Sequence, residues 1–517
     1  MPFTDSFASW TCIRAERDGG KTALVGGNER VSYAELERRS AKVAGALAVQ
    51  GVAKGDRVVA VLKNRCEFLE LLFGTARLGA VFVPLNFRLS GDELTLLLRD
   101  CEPRVVVAQA AVEAAVREGL AGSGSGVPLL LVDGAGAAYA AWRDSGGERP
   151  PVPVAPGDPA LIQYTSGSTG SPKGAVITHE NVLWNVFNYV TDWDLVSTDT
   201  TLVLNPIFHA VLHILTMPLL YKGGTVVLME DFAAAQAIDL LERERVTVLF
   251  GIPTSLALIA DEPSFPTADL AALRFVDSGG SACPLPLIAR YTARGIPYRQ
   301  GYGLTETTSS STQLEPEEDT RKRGSIGRPF FHMEAKVVRD DGGAADPDEP
   351  GELQLRGRNI CDGYWRNPEA TARAFTEDGW FRTGDVARQD ADGFLFIVDR
   401  KKDIIISGGE NIASIEVEQT ILAHPAVREA AVIGVPHARW GESPRAIVAA
   451  GGPVSAEEII AHCRGRIAHY KCPTSVVFVD ELPKMTNGKI SKIELRRLYG
   501  EGSLPVDPGP RQRQEGK

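Results

Sequence analysis

The stretch Tyr164-Thr-Ser-Gly-Ser-Thr-Gly-Ser-Pro-Lys-Gly174 constrains this chain more than any other. Gly167, Gly170 and Gly174 free the backbone to turn its N–H groups toward an anion, while Thr165, Ser166, Ser168, Thr169 and Lys173 add donors and a charge. A flexible linker is the bland alternative. Against it, β-rich runs flank the stretch on both sides (Ala160-Leu-Ile-Gln-Tyr164 and Ala175-Val-Ile177), and Pro-Lys-Gly closes it. The Walker pattern G-x-x-x-x-G-K-[ST] is not met, because Ser171 and Pro172 separate Gly170 from Lys173. A β-branched run follows Lys173, so loop amides and hydroxyls rather than a helix N-terminus are expected to hold phosphate.

At 517 residues the chain is too long for one core and implies several subdomains. Seven cysteines, an odd number with no C-x-x-C pair, argue against a disulfide framework and a zinc site. The N-terminus lacks a basic region followed by an apolar one, and no stretch has the 18 or so apolar residues of a membrane span, so a cytoplasmic protein is expected. A net charge of −11 disfavours nucleic acid as a partner. The acidity lies in the first 399 residues, since residues 400–517 carry 17 Lys/Arg against 14 Asp/Glu. A mildly basic C-terminal part can accommodate a polyanion, although a solvated face would look the same.

The first hundred residues alternate helix and strand. Ser32-Tyr-Ala-Glu35 and Ser90-Gly-Asp-Glu93 read as capping boxes, 58–62, 81–85 and 104–107 as strands, 66–78 as a helix and 122–126 as a surface loop. After the phosphate loop, strand candidates at 202–204, 225–228, 247–250 and 274–276 predict a second sheet with crossover helices. From 324 short strands with Gly/Asp/Pro turns predict a small β-rich unit, and past Arg400 helix and strand mix again. The expected fold class is α/β. A large N-terminal domain (1–399) holds two α/β sheets and a small β-rich subdomain, a small mobile α+β C-terminal domain spans 400–500, and 501–517 is a Pro/Gly/Arg tail expected to be disordered.

Further short stretches follow the loop in order: Ser278-Gly-Gly-Ser-Ala-Cys283, Gln300-Gly-Tyr-Gly-Leu-Thr-Glu306, Trp380-Phe-Arg-Thr-Gly-Asp385, Val398-Asp-Arg-Lys-Lys-Asp403, Ser407-Gly-Gly-Glu-Asn411 and Pro483-Lys-Met-Thr-Asn-Gly-Lys489. Singly, each has a bland reading as a glycine turn, an Asx turn or solvated charge. As an ordered series over about residues 20–497, they resemble the adenylate-forming superfamily of acyl-CoA synthetases, peptide-synthetase adenylation domains and luciferases, and are closest to acyl-CoA ligases.

The resemblance implies ATP, Mg²⁺ and CoA as cofactors, a small carboxylic acid as partner, and room for a homodimer. It implies that Gly279, Gly280 and Ser281 lie against the adenine and acyl chain, where glycine lets a ligand pass close to backbone. Gly301, Tyr302 and Gly303 would lie along the purine, Thr305 would reach the α-phosphate, and Glu306 would be a hard oxygen ligand for Mg²⁺. Asp385 and Arg400 would meet the ribose, Lys402 would be the interdomain hinge, and Gly408 and Gly409 would line the pantetheine tunnel. Lys489 would reach the carboxylate and α-phosphate. Catalysis would thus involve Lys489, Glu306, Thr165, His209 and Lys173. In the implied reaction the acid forms an acyl adenylate with loss of pyrophosphate; the C-terminal domain then turns and a thiol takes the acyl group.

Peptide-synthetase domains place an aspartate after the Phe of Pro206-Ile-Phe-His209, where this chain has His209, so amino acids are disfavoured. Val211-Leu212-His213 replaces the glycine pair common in fatty acyl ligases, which leans toward small or aromatic acids. By resemblance 208–220, 251–258, 278–284 and 302–310 surround the acyl site, and none contains Lys or Arg, leaving a second carboxylate without a partner. His213 reads as a core histidine and Cys283 as packing. An alternative use of the same frame is activation of another small anion such as nitrite, as in ATP-dependent diazotases.

Overall fold

A computed structural model describes residues 6–134, 138–165, 172–281, 283–316, 318, 321–400, 403–407, 410–437, 439–485 and 489–500. Two large sheets form the N-terminal domain. In the six-stranded sheet the order is Leu129–Leu131, Pro103–Ala108, Arg57–Val61, Val81–Pro84, Pro159–Thr165, Lys173–Thr178. The first five run parallel and the last turns back antiparallel, with Thr165 opposite Lys173. These central strands are apolar on both faces because helices cover both, and Val58, Val59, Ala60, Val105, Val106 and Val107 are all buried.

The nine-stranded sheet runs Arg328–Pro329, Thr312–Leu314, Tyr298–Tyr302, Phe275–Ser278, Val248–Gly251, Thr200–Val203, Thr225–Leu228, Thr22–Gly26, Glu29–Ser32. Its last two strands come from the N-terminus, and Leu24 pairs in register with Val226. The sequence pattern predicts no strand between Thr22 and Ser32, because the partner strand Thr225–Leu228 lies two hundred residues away and the local pattern is short. The β-rich unit expected from 324 is a four-stranded antiparallel sheet of Met333–Val338, Gly351–Gly357, Phe381–Gln389 and Leu395–Arg400.

Local signals behaved as expected with two exceptions. Ser90 and Glu93 form a reciprocal capping box, and so do Thr178 and Asn181 at the helix His179–Asp192. Ser32 caps the helix Tyr33–Val49 through Glu35 N, but the reciprocal half is missing. The Glu35 carboxylate is drawn instead to Arg38 and Arg39 at 2.6–2.8 Å, charge-assisted bonds that outcompete a neutral amide. The loop expected at 122–126 begins only at Gly124, because the helix Glu113–Ser123 keeps its first two residues.

The smaller C-terminal domain packs helices on a sheet ordered Glu410–Ile412, Ile405–Ser407, Gly441–Ala450, Val427–His437, with Ser475–Val479 parallel to Gly441–Ala450. Its core includes Ile412, Val417, Ile421, Val432, Val448 and Ile459. Asp399, at the end of the four-stranded sheet, is buried and accepts bonds from Ser414 N (2.5 Å) and Oγ (2.6 Å) at the start of the helix Ser414–Leu422. Arg496 pairs with Asp403 at 2.6 Å. The Asp399–Ser414 bonds tie the C-terminal domain to the four-stranded sheet, and Lys489 of that domain reaches Gly280 at the end of a strand of the nine-stranded sheet. Among the described residues no helix is long and apolar enough to cross a membrane.

Candidate active site

The cleft lies at the carboxyl ends of the parallel strands of the nine-stranded sheet, where α/β sheets place their ligand crevices. Phe275–Ser278 leads into Gly279-Gly280-Ser281, and Tyr298–Tyr302 leads into Gly303 and the 3-10 turn Thr305–Thr307. Gly303 is required by close approach, since a Cβ there would stand 2.1 Å from Ser309 O. The turn carrying Glu306 continues through Thr308 and Ser309, which hold left-handed φ of 48° and 77°. Buried polar side chains hold that strained backbone. Asn359 Nδ2 donates to Thr307 O and Ser310 O, both at 2.8 Å, Thr308 Oγ1 donates to Asn359 O at 2.7 Å, and Tyr189 OH donates to Ser309 O at 2.9 Å.

Four of the sequence-predicted residues form a connected group. Tyr302 OH donates to Asp385 Oδ2 at 2.6 Å, and Arg400 Nε stands 3.2 Å from Asp385 Oδ1. Asp385 and Arg400 are directly opposed across neighbouring strands. Lys489 arrives from the C-terminal domain: a Cβ on Gly280 would lie 3.4 Å from Lys489 Cε and 3.9 Å from its Nζ. Gly280 has φ 85° and no side chain, which leaves that space to the lysine stem. Burial, with the charge of Arg400 adding to it, lowers the Lys489 pKa to about 8 against the opposing pull of Asp385 and Glu306. Burial likewise raises the Asp385 carboxyl, against the pull of Arg400, Tyr302 and Lys489.

Lys173 and Glu306 are also brought together, through a residue the sequence reading missed. Tyr364 OH donates to Glu306 Oε1 at 2.9 Å, and Lys173 Nζ stands 5.2 Å from the Tyr364 ring centroid. Thr165 Oγ1 approaches Lys173 O at 3.5 Å. Ser166, Gly167, Ser168, Thr169, Gly170, Lys402, Gly408 and Gly409 lie outside the described residues. Glu306 is half-buried and presents a hard anionic oxygen. Among the described residues no three metal-ligating side chains cluster, so a cation on Glu306 would complete its shell with phosphate oxygens and water, a donor set that suits Mg²⁺.

His209 follows Phe208, whose ring meets Phe87 edge to face at 5.7 Å. Burial lowers the His209 pKa to about 4, with the positive charges of Lys489 and Arg88 adding to it, so the ring is neutral. Arg88 is thus a cation whose charge reaches His209, and it belongs to a turn outside the four stretches considered. His213 is fully buried, as a core histidine should be, and sits in the π-helical turn Leu212–Thr216. Its Nε2 stands 3.0 Å from Gln163 Oε1 while Gln163 Nε2 donates to Phe208 O at 3.1 Å, so His213 Nε2 carries the proton. This ties the strand entering the phosphate loop to the segment bearing His209. Cys283 is buried, its Sγ 3.1 Å from Tyr298 OH.

The profile of the family described as AMP-binding enzyme matches residues 13–365, and that described as AMP-binding enzyme C-terminal domain matches 416–489. A feruloyl-CoA synthase of an Amycolatopsis species is 42% identical over 95% of this chain and 99% of its own length. An indoleacetate–CoA ligase of Aromatoleum aromaticum is 39% identical over 95% of this chain and 98% of its own. Among solved structures, ATP-bound MatB from Rhodopseudomonas palustris superposes with a TM-score of 0.90 at 31% identity, covering 96% of this chain and 99% of that one.

Proposed function

The chain belongs to the AMP-binding enzyme family, and from that membership and the cleft geometry we infer an ATP-dependent, AMP-forming acid–thiol ligase. It activates a carboxylic acid as an acyl adenylate with release of pyrophosphate and passes the acyl group to the thiol of CoA. The observation that carries this reading is the seat of Lys489, which reaches from the C-terminal domain to Gly280 and into the field of Asp385, Glu306 and Arg400.

In the first half-reaction a carboxylate oxygen bonds to the α-phosphorus of ATP as the bond to the pyrophosphate oxygen breaks. The Lys489 ammonium offsets the charge that grows on the carboxylate and the α-phosphate in the transition state, a role its place beside Gly280 supports. Asp385 accepts from the ribose hydroxyls, steadied by Tyr302 and Arg400. Lys173 and the hydroxyls of the phosphate loop hold the departing pyrophosphate. When bound at Glu306, Mg²⁺ supplies positive charge against the phosphate oxygens. In the second half-reaction a C–S bond forms and the C–O bond to AMP breaks, with the thiol proton passing to water. Lys489 must leave for that step, and a turn of the C-terminal domain about Lys402 would bring Gly408 and Gly409 to the thiol path.

The acid is aromatic. The relatives named for feruloyl and indoleacetate substrates support this, as do the Phe87–Phe208 pair, neutral His209 and the bulk of Val211-Leu212-His213. A cytoplasmic site of action fits the use of ATP and CoA. A pyrophosphate-release screen over carboxylic acids and nitrite, with and without CoA, tests the reading. Aromatic acids should give pyrophosphate without CoA and a thioester with it. Nitrite-dependent turnover with no thioester from any acid would overturn it.

A further inference from the structure

The segment Cys361–Trp365 is bonded to both halves of the phosphate-handling machinery. Cys361 N donates to Glu306 O at 2.7 Å. Asp362 N donates to Val176 O (3.0 Å), Val176 N to Gly363 O (2.9 Å) and Trp365 N to Gly174 O (2.7 Å), so the segment runs as an added edge along the strand Lys173–Thr178. Tyr364, in its middle, has its backbone N held by Thr371 Oγ1 at 2.9 Å. Its side chain therefore has little freedom, and both charged groups end on it: Glu306 Oε1 accepts from the phenol, and the Lys173 ammonium lies over the ring.

Lys173 and Glu306 carry opposite charges on flexible stems in one partly desolvated cleft, where attraction between them is strong. Among the described residues they nevertheless form no ion pair with each other. We propose that Tyr364 is a positioning residue that keeps Lys173 and Glu306 from pairing, leaving the ammonium to the outer phosphates and the second carboxylate oxygen to the cation accompanying the nucleotide. A direct pair would silence both groups at once, since each would neutralise the other before the nucleotide arrives. The proposal rests on the roles given above to Lys173 and Glu306.

The test is ATP binding to the full chain by titration calorimetry in EDTA, where neither metal nor turnover contributes. Tyr364→Leu should let Lys173 fall onto Glu306 and weaken metal-free ATP binding ~10-fold, the worth of one charged phosphate contact. Adding Glu306→Gln to that variant should restore affinity by more than the same change gains in the wild-type chain. A merely structural tyrosine would leave the double variant as weak as the single one. Tyr364→Phe, which keeps the ring, should retain metal-free affinity but bind Mn²⁺ to its ATP complex several-fold more weakly by paramagnetic resonance. Wild-type affinity in a folded Tyr364→Leu chain, or failure of the rescue, overturns the proposal. If Tyr364→Leu does not fold, wild-type Mn²⁺ affinity in Tyr364→Phe overturns it instead. Lys173→Ala is the control: unchanged ATP affinity there would refute the role of Lys173 itself, and the proposal with it.

Discussion

Tyr302 and Asp385 join two sheets through one hydrogen bond of 2.6 Å, the phenol of the nine-stranded sheet donating to a carboxylate of the four-stranded one. Burial works against the charge on Asp385, so its ionised state depends on this bond and on Arg400. Tyr302→Phe removes the bond and keeps the ring. Loss of a hydrogen bond to a charged group should weaken ATP binding ~10-fold. Calorimetric affinity equal to that of the wild type would show that Asp385 is held without it.

Glu306→Gln should lower adenylation by ~10² to 10³, the usual cost of losing one electrostatic stabiliser. Its fold should survive, because the amide oxygen can still accept from Tyr364 OH. Pyrophosphate release at limiting Mg²⁺, beside a melting curve, checks both halves. Unchanged turnover would reduce Glu306 to a turn residue.

Lys489→Ala should separate the half-reactions. The lysine contacts the nucleotide side only with the C-terminal domain seated as it is, so adenylate formation should vanish. Conversion of a supplied acyl adenylate with CoA should persist. Equal loss of both steps, at an unchanged melting temperature, would sink the domain-rotation mechanism.

The proton on Lys489 sets an alkaline limit. Its pKa is lowered to about 8 by burial and Arg400, so kcat/KM for adenylation should fall as pH rises through about 8. Lys489→Arg keeps its charge far above that range and should move the fall away, although the rate itself will drop because the fork is a different shape. Stability carries the opposite sign. The unfolded chain keeps the lysine proton up to the ordinary value of 10.5 while the folded chain releases it near 8, so this group's destabilisation is present at neutral pH and relieved between those values. Melting temperatures of wild type and Lys489→Met against pH should converge across that window. His209, held to about 4, adds no limb near neutrality.

The order of motifs along the chain was enough to identify the family and its frame of a large N-terminal and a smaller C-terminal domain. Glycine turns, caps and hydrophobic period are local: Gly303 is glycine because Ser309 O crowds it, and Ser90 caps its helix whatever lies elsewhere. The strand after Lys173 was readable for the same reason, as a β-branched run cannot easily open a helix.

Tertiary structure alone decided which side chains share a site. Tyr364 stands 58 residues from Glu306 and 191 from Lys173, and nothing near it in sequence marks it as their common partner. Asn359 looks like any surface asparagine until its amide is seen under the Glu306 turn, and Arg88 like any loop arginine until its charge is found bearing on His209. The N-terminal strands joined the nine-stranded sheet instead of forming a unit of their own because their pairing partner, Thr225–Leu228, arrives late in the chain. Local residue preferences follow the chain and are legible in order. Electrostatic and hydrogen-bonded partners are chosen by distance in space, which a sequence sets only after the chain has folded.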